Sequence, residues 1–297
     1  MVLITGADGY VGTNLVDTLR VKHGNLKILR LIRKRGITLE SENAKTITGD
    51  IVEFQSIKNA FKNVTAVIHL AAKISPEVIE DFDQVNHQGT RNVILAMKEH
   101  GVQKIVYLSS YDVTSDTKTM YGRSKLMAEK EIISSGLDYV ILRPTVIYGG
   151  KKDPSLSKIV KYINKFPVVP VLGNGRQMLQ PIFISDLVKI AINSLDKGHK
   201  KLIVDIAGPD RVSLSELVMM IANKLKRRIF IVHIPYLFIK LSTKLIFNIN
   251  KRRIYLDKIN LLSIDKVTDT SNMNDSFSLN TTRLSKGIKL LINSKPL

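Results

Sequence analysis

The chain has 297 residues, 44% of them hydrophobic, with a formal net charge of +19 and no cysteine. This length allows one large domain or one domain with a smaller appendage, and the lack of cysteine excludes disulfides, thiolate metal sites and a thiol nucleophile. The six histidines show no ligand-like spacing such as HExxH, so we expect no bound metal.

Short aliphatic runs alternate with helical patterns up to about residue 150. The runs are VLIT, LKILRLI, KTIT, AVIHLAA, KIVYLSS and DYVILRP, and the helical patterns cover residues 10–22, 54–61, 78–100 and 119–134. Strands that are apolar throughout and separated by helices imply a parallel sheet covered on both faces. We therefore predict an α/β fold, a doubly wound parallel sheet of the Rossmann type, over residues 1–148.

The alternation ends beyond residue 148. The segments GGKKDPS and FPVVPVLGNG resemble loops, whereas PIFISDLVKIAINSL followed by KKLIVDIAGP predicts one further helix and strand that return to the sheet. We expect residues 182–207 to complete the Rossmann domain. Residues 149–181 and 208–297 are predicted to form a smaller, partly helical C-terminal lobe that binds substrate.

Three glycines follow the first predicted strand, in the segment TGADGYVG. In a strand, turn and helix arrangement, Gly6 permits the tight turn, Gly9 lets a phosphate approach the backbone, and Gly12 lets the helix pack close to the strand. The spacing differs from the commoner GxGxxG, and a purely structural turn is the alternative. The position at the first strand-to-helix turn favours dinucleotide binding.

The end of the second predicted strand carries Arg33, Lys34 and Arg35 and no acidic residue. Enzymes that use NAD place an acid here for the ribose hydroxyls, whereas enzymes that use NADP favour arginine for the 2′-phosphate. The pattern favours NADP over NAD. A solvated basic strand end is the alternative.

Taken in order, the motifs resemble those of the extended short-chain dehydrogenase/reductase superfamily, which includes the NAD-dependent epimerase/dehydratase family. The resemblance covers roughly residues 1–220 and runs through TGADGYVG, TGDI, VIHLAA, VNHQGTRNVILAM, VYLSS, YGRSK and LRPTVIYG. It implies that Asp50 accepts a hydrogen bond from the adenine amino group. Besides the glycines, Arg33 and Asp50, the cofactor contacts that it implies are Tyr10, Val11, Ile51, Leu70, Ala71, Ala72, Lys125 and Pro144.

The resemblance also implies a catalytic group of Ser110, Tyr121, Lys125 and Asn86. Tyr121 is the acid/base, Lys125 holds the nicotinamide ribose, and Ser110 orients the substrate oxygen, with Ser109 as second choice. Asn86 supports Lys125 through a helix kink or a water. The pattern YxxxK also occurs at residues 148–152 and 236–240, but only residues 121–125 lie on a predicted helix after the fifth strand, where both side chains share one face.

The pairing of Tyr121 with Lys125 has a physical reason. A phenol has a pKa of about 10, and lowering it by about three units to serve as a base at neutral pH takes about 4 kcal/mol. One lysine cation about 4 Å away supplies energy of that order at an effective dielectric constant of about 20. We therefore expect Lys125, assisted by an oxidised cofactor, to lower the pKa of Tyr121.

The resemblance is weaker where nucleotide-sugar enzymes contact the diphosphate. The expected asparagine and arginine correspond to Val146 and Leu179, although Arg176 or other basic residues could substitute. The segment PVVPVLGNGRQMLQPIFISDLV is more similar to the atypical branch of the superfamily that resembles the complex I nucleotide-binding accessory subunit. Three functions stay open: an NAD(P)-dependent oxidoreductase acting on a secondary alcohol or carbonyl, which we favour, a nucleotide-sugar epimerase or dehydratase, and a non-catalytic cofactor-binding protein.

The basic charge suggests a phosphorylated or nucleotide-linked small-molecule substrate, but no nucleic-acid-binding module is present and we expect no nucleic acid.

The apolar segment 229–249 is interrupted by Pro235 and carries lysines, which is poor for a membrane span. From Pro235 we predict an amphipathic helix packed on its own domain, with membrane-surface binding as the lesser alternative. No signal peptide is evident, so we expect a cytoplasmic protein, and the resemblance is compatible with a homodimer.

Overall fold

A computed structural model of the chain describes residues 1–22, 26–33, 43–74, 80–115, 119–238, 241 and 249–294. The chain divides into two compact units. The first comprises Met1–Val113, Met120–Arg143 and Val188–Val204, and the second comprises Thr114–Thr119, Pro144–Leu187 and Asp205–Leu297.

A seven-stranded sheet lies at the centre of the fold. The strands in spatial order are β11 (Leu202–Ile206), β6 (Asp138–Pro144), β5 (Lys104–Leu108), β4 (Ala66–His69), β1 (Val2–Thr5), β2 (Ile28–Ile32) and β3 (Ala44–Thr48). Neighbouring strands from β6 to β3 pair in parallel. This arrangement confirms the predicted doubly wound sheet.

Helices cover the sheet, and apolar strand residues fill the space beneath them. Leu3, Val67, Ile105 and Ile141, on four adjacent strands, are buried in one cluster. The helices are α1 (Tyr10–Lys22), α2 (Phe54–Ile57), α3 (Glu80–Phe82), α4 (Gly89–Glu99), α5 (Met120–Ser134) and α7 (Ile184–Asn193), with 3-10 turns at Lys58–Phe61 and Tyr111–Thr114 and a π-helical segment at Asp83–Gln88.

The order of the strands reverses between β1 and β4. The chain runs outward from β1 through β2 to β3, and then returns to place β4, β5 and β6 on the other side of β1. In open α/β sheets, ligands bind outside the carboxyl ends of the strands at such a switch point. The glycine turn that follows β1 therefore lies where the topology predicts a ligand.

The second unit contains helices and three short strand pairs. Its core includes Val160, Ile163, Leu217 and Ile288. The helices are α6 (Leu156–Lys165), α8 (Leu214–Lys224), α9 (Ile249–Ser263), α10 (Ser271–Phe277) and α11 (Leu284–Asn293). The strand pairs are β7 (Ile147–Tyr148) with β10 (Ile182–Phe183), β8 (Val168–Leu172) with β13 (Phe230–Ile234), and β9 (Met178–Leu179) with β12 (Val212–Ser213).

The sequence-based prediction was wrong for one segment of this unit. FPVVPVLGNG was predicted as a loop, but Val168–Leu172 forms β8 and pairs in parallel with β13. Strand formation is compatible with Pro170 because, among the described residues, β8 pairs with a strand on one side only, and on the other side a missing N–H interrupts no ladder. The amphipathic helix predicted from Pro235 lies largely outside the described residues. Within the part of the chain that is described, no helix combines the length and apolar character needed to cross a bilayer.

Candidate active site

The glycine turn between β1 and α1 is held by close backbone contacts. Gly6 has a φ of 65°, and a Cβ on it would lie 2.7 Å from the Ala71 nitrogen. A Cβ on Gly12 would lie 2.7 Å from the Ala7 Cα. The Gly9 N–H donates to the Gly6 carbonyl oxygen at 3.0 Å. Side chains are thus excluded at Gly6 and Gly12, and the first turn of α1 follows directly.

One cleft adjoins this turn, and eight of the predicted cofactor residues line it. They are Gly6, Gly9, Arg33, Asp50, Ile51, Leu70, Ala71 and Ala72. Tyr10, Val11 and Gly12 begin α1, while Lys125 lies on α5 and Pro144 ends β6. Lys34 and Arg35 lie outside the described residues. A backbone cradle that excludes Cβ atoms, beside a cleft with an acid and an arginine, fits a dinucleotide.

A chain of buried hydrogen bonds joins the glycine turn to the helix that follows β4. The Thr5 hydroxyl accepts from the Leu70 and Ala71 N–H groups, both at 3.2 Å, and lies 2.6 Å from Nδ1 of His69. Nε2 of His69 lies 3.0 Å from the Thr90 hydroxyl, which donates to the Asn86 carbonyl at 2.6 Å.

The imidazole in this chain is neutral. Burial, with the charge of Lys125 as a smaller contribution, lowers the pKa of His69 to about 3. Because Thr90 donates onward to Asn86, Nε2 of His69 carries the proton and Nδ1 accepts from Thr5. Thr5, His69 and Thr90 had no predicted role, although all three lie in quoted motifs, TGADGYVG, VIHLAA and VNHQGTRNVILAM.

Ser110, which follows β5, contacts the side chain of Tyr121 in the first turn of α5. Ser110 is buried, and its hydroxyl donates to the Asp112 carboxylate at 3.0 Å and accepts from the Asp112 N–H at 3.2 Å. Its proximity favours the ionised form of the Tyr121 phenol. Ser109 instead donates to the buried Glu129 carboxylate at 2.5 Å. The structure therefore brings Ser110 to the predicted acid/base and uses Ser109 in an internal contact.

Lys125 is buried one turn after Tyr121 on α5. Its Nζ donates to the Leu108 carbonyl oxygen at 2.6 Å and lies 4.1 Å from the centre of the Tyr107 ring. Burial lowers the pKa of Lys125 to about 7, although the Glu129 carboxylate acts in the opposite direction. The ammonium is thus only partly protonated at neutral pH.

Glu129 links α5 to β6 and was missed by the sequence analysis. Its carboxylate accepts two hydrogen bonds from the Arg143 guanidinium, at 2.9 and 2.6 Å. Glu129 follows Lys125 by four residues, so the two side chains share a helix face. That spacing, together with an arginine in the motif LRPTVIYG, is the signal from which this ion pair could have been predicted.

The electrostatics of Tyr121 differ from the expectation. Burial raises the pKa of the Tyr121 phenol, the Asp112 carboxylate raises it further, and Ser110 opposes both. Lys125 does not offset this desolvation, because its own burial lowers its pKa and its Nζ is bound to the Leu108 carbonyl. In the protein alone, the phenol is therefore a proton donor at neutral pH.

Asn86 lies in the π-helical segment between α3 and α4. Its Oδ1 accepts from the Lys73 N–H at 2.7 Å, and its Nδ2 donates to the Lys73 carbonyl at 3.1 Å and to the Ser124 hydroxyl at 2.9 Å. Lys73 also lines the cleft, and Ser124 directly precedes Lys125. Asn86 thus connects the cleft to the helix that carries Tyr121 and Lys125.

Other residues singled out in the sequence lie in apolar surroundings or at the surface. Tyr148 is fully buried with its ring edge against Phe183. Val146 and Leu179 pack against the core of the second unit, and Arg176 is exposed. Among the side chains that the structure describes, no group of three or more His, Asp or Glu residues is arranged to hold a metal ion.

Known proteins resemble this chain in sequence and in fold. Residues 2–207 match the NAD dependent epimerase/dehydratase family. An N-acetyl-alpha-D-glucosaminyl-diphospho-ditrans,octacis-undecaprenol 4-epimerase from Escherichia coli O157:H7 is 28% identical over 261 residues, which is 79% of this chain and 75% of that protein. A UDP-glucose 4-epimerase from Vibrio cholerae is 26% identical, covering 82% of this chain and 81% of its own length.

The fold has close counterparts among solved structures. MoeE5, solved in complex with UDP-glucose and NAD, superimposes with a TM-score of 0.79 at 20% identity, covering 98% of this chain and 97% of MoeE5. The family match covers more than two thirds of the chain and includes the glycine turn, Asn86, Ser110, Tyr121 and Lys125. The chain therefore belongs to the NAD-dependent epimerase/dehydratase family within the extended short-chain dehydrogenases/reductases, and it is an NAD(P)-dependent enzyme that transfers hydride at a secondary alcohol or carbonyl.

Proposed function

We propose that the enzyme is a 4-epimerase of a hexose carried on a diphosphate, which oxidises and re-reduces one carbon without net consumption of cofactor. The observation that carries the proposal is the placement of Ser110, Tyr121 and Lys125 on adjacent elements of the first unit, connected to the cleft through Asn86. The relatives from E. coli and V. cholerae are named as 4-epimerases of diphosphate-linked sugars, which supports this substrate class.

Each residue has one task in the proposed reaction. A nicotinamide cofactor held by the glycine turn and the cleft would supply the hydride chemistry at the sugar C4, as acceptor in the oxidation and as donor in the reduction. Tyr121 loses its own proton before the reaction and, as the phenolate, takes the proton of the 4-hydroxyl as the hydride leaves; as the phenol it gives that proton back when the hydride returns. Ser110 donates a hydrogen bond to the same oxygen and opposes the burial that raises the pKa of Tyr121. The positive charge of an oxidised nicotinamide would favour the phenolate, and Lys125 would hold the nicotinamide ribose.

Net oxidation or reduction of another alcohol or carbonyl is the second candidate, and it was the preferred function in the sequence analysis. Val146 and Leu179, which occupy the positions where nucleotide-sugar enzymes contact the diphosphate, favour it because neither can bind a phosphate. The two candidates differ in stoichiometry. An epimerase releases no reduced cofactor, whereas an oxidoreductase changes its amount by one equivalent per turnover.

The test is product analysis on a panel of UDP-hexoses, dTDP-hexoses and undecaprenyl-diphosphate N-acetylglucosamine. We expect NMR to detect a C4 epimer while the absorbance of reduced nicotinamide stays constant. Tyr121→Phe should lower kcat by about 10²- to 10⁴-fold, and Tyr162→Phe, at an exposed tyrosine of α6, should not. Stoichiometric cofactor turnover would favour the second candidate. Unchanged activity in Tyr121→Phe would refute the assigned mechanism.

We propose NADP(H) as the preferred form of the cofactor. Arg33 directly follows β2, is exposed and lines the cleft, where a guanidinium can bind a 2′-phosphate. Binding measured by fluorescence should be tighter for NADPH than for NADH. Since a charge-assisted hydrogen bond contributes about 1.5–3 kcal/mol, Arg33→Ala should weaken NADPH about 10- to 100-fold and leave NADH nearly unchanged. Arg91→Ala, at an exposed arginine of α4, is the control, and an equal loss for both cofactors would contradict the proposal.

We further propose a homodimer that pairs through α4 and α5. Leu95 on α4 and Met127 and Ile133 on α5 are large exposed apolar side chains, and the family commonly pairs through these helices. The cytoplasmic location stays a prediction.

A further inference from the structure

One face of the small sheet formed by β8 and β13 is apolar and open to solvent. Side chains alternate between the two faces of a strand, and on the inner face Val169, Val171 and Ile231 pack into the core of the second unit. The register pairs Phe230 with Val168, and the other outer pairs follow at every second residue. The outer face therefore consists of Val168, Pro170, Leu172, Phe230, Val232 and Ile234, which we call the outer β face.

The exposure of this face is large for a folded protein. Phe230 is 73% exposed, Val168 46% and Val232 48%. Immediately after β13, Leu237 and Phe238 are 66% and 67% exposed. In an antiparallel or two-stranded sheet with one solvent-exposed face, apolar and polar residues normally alternate along each strand. A continuous apolar face beside two further exposed apolar side chains marks an interaction site.

The charge of the flanking chain indicates what kind of surface it meets. Residues 154–185, which contain β8, include four basic residues and no acid. The described residues 217–238, which contain β13, include four basic residues and no acid. Among them, Lys165 ends α6, Lys224 ends α8 and Arg228 precedes β13, and all three are exposed. Apolar side chains surrounded by cations are typical of surfaces that bind anionic membranes.

We propose that the outer β face, with Leu237 and Phe238, docks the enzyme on an anionic lipid bilayer. Phe230, Val232 and Leu237 enter the boundary between headgroups and acyl chains, and the surrounding lysines and arginines contact the lipid phosphates. Other occupants fit less well. A second copy would bring the same positive charge against itself, and a nucleic acid would leave the aliphatic side chains in water, since stacking on bases needs aromatic rings.

The experiment is co-sedimentation of the full-length protein with sucrose-loaded vesicles. We expect binding to vesicles of phosphatidylcholine with phosphatidylglycerol, weak binding to phosphatidylcholine alone, and loss of binding as salt rises. Phe230→Ser/Val232→Ser should lower the partition coefficient at least about tenfold, since each change removes buried apolar area. Val21→Ser/Val52→Ser, at exposed valines of the first unit, is the matched control. These changes lie at solvent-exposed side chains, so circular dichroism and the Tm should stay near the wild-type values.

The electrostatic contribution is tested separately. Lys224→Gln/Arg228→Gln should lower binding to the anionic vesicles roughly 10- to 30-fold, because each basic residue near the surface contributes about one factor of five. Lys22→Gln/Lys62→Gln removes the same charge from the first unit and should change binding little. Equal binding to both vesicle types, unchanged binding in the outer-face variants, sedimentation that nuclease abolishes, or self-association through the same residues would each overturn the proposal.

Discussion

Lys125 is the residue whose behaviour is hardest to foresee from the sequence. Its spacing from Tyr121 predicts a shared helix face, but not the burial that lowers its pKa to about 7. That burial depends on Tyr107 and Leu108, which come from a strand and are distant in sequence. Motifs therefore predict which residues meet at the site, whereas their proton affinities depend on solvent exclusion by the whole fold.

The lowered pKa of Lys125 makes stability depend on pH. The folded protein releases this proton near pH 7 and the unfolded chain near 10.5, so the unfolded state binds more protons between these values. The free energy of unfolding should then rise with pH over this window, by at most about 1.4 kcal/mol per pH unit from this group. Below about pH 7 Lys125 is charged in both the folded and the unfolded state, so the free-energy cost of burying its charge lowers the stability by its full amount.

Urea unfolding of the cofactor-free protein at pH 7, 8 and 9 measures this slope. Lys125→Met should lose that part of the pH dependence, while Lys130→Met, at an exposed lysine of the same helix, should keep it. Parallel slopes in the wild type and Lys125→Met would contradict the assigned burial.

At the scale of elements, the sequence predicted the strands that are buried on both faces. VLIT and AVIHLAA are almost entirely apolar, apart from the hydrogen-bonded Thr5 and His69, because helices cover both sides of the parallel sheet. Val168–Leu172 was missed because only one side of β8 is packed and two prolines resemble loop signals. The glycine turn was predicted because a positive φ and a close approach of neighbouring backbone both require a residue without a side chain. Glycines at such positions can be recognised directly in the sequence.

The glycine turn supports a prediction with a matched control. Gly6 and Gly101 have nearly equal φ values, 65° and 68°, but a Cβ on Gly6 meets the Ala71 backbone, whereas nothing lies within 4 Å of one on Gly101. Gly101→Ala should cost about 1 kcal/mol of stability, from backbone strain alone. Gly6→Ala should cost more, through the added collision, and should weaken cofactor binding at least about tenfold. Isothermal calorimetry and urea unfolding check both, and equal effects of the two changes would contradict the role of Gly6.

At the scale of the whole molecule, the net charge and the number of apolar residues can be counted in the sequence, but their positions on the surface cannot be read from it. The net charge of +19 predicts attraction to anions without indicating where they bind. Alternation along β8 and β13 assigns apolar residues to an open face only once the partner strand and the packed side are known. Exposed residues of α4 and α5 could not be identified before the helices were placed.

The proposed dimer gives a test at this scale. Leu95→Lys/Met127→Lys places new cations on α4 and α5, and a two-fold axis brings each change to the interface twice. Like charges at an interface cost several kcal/mol, so the dimer should weaken by about hundredfold or more. Sedimentation velocity should then show a monomer, whereas Val21→Lys should leave the dimer intact. A wild-type protein that sediments as a monomer would refute this pairing.

The neutral His69 between Thr5 and Thr90 has a consequence for how the enzyme responds to acid. Its pKa of about 3 in the folded protein lies below the ordinary 6.5, so acidification from pH 6.5 favours the unfolded chain, which takes up the proton first. The hydrogen bonds of His69 to Thr5 and Thr90 do not weaken gradually with falling pH, because the imidazole stays neutral while the protein is folded. Mild acid should therefore lower the fraction of folded molecules. The molecules that remain folded should keep the same site geometry and bind the dinucleotide as they do at neutral pH.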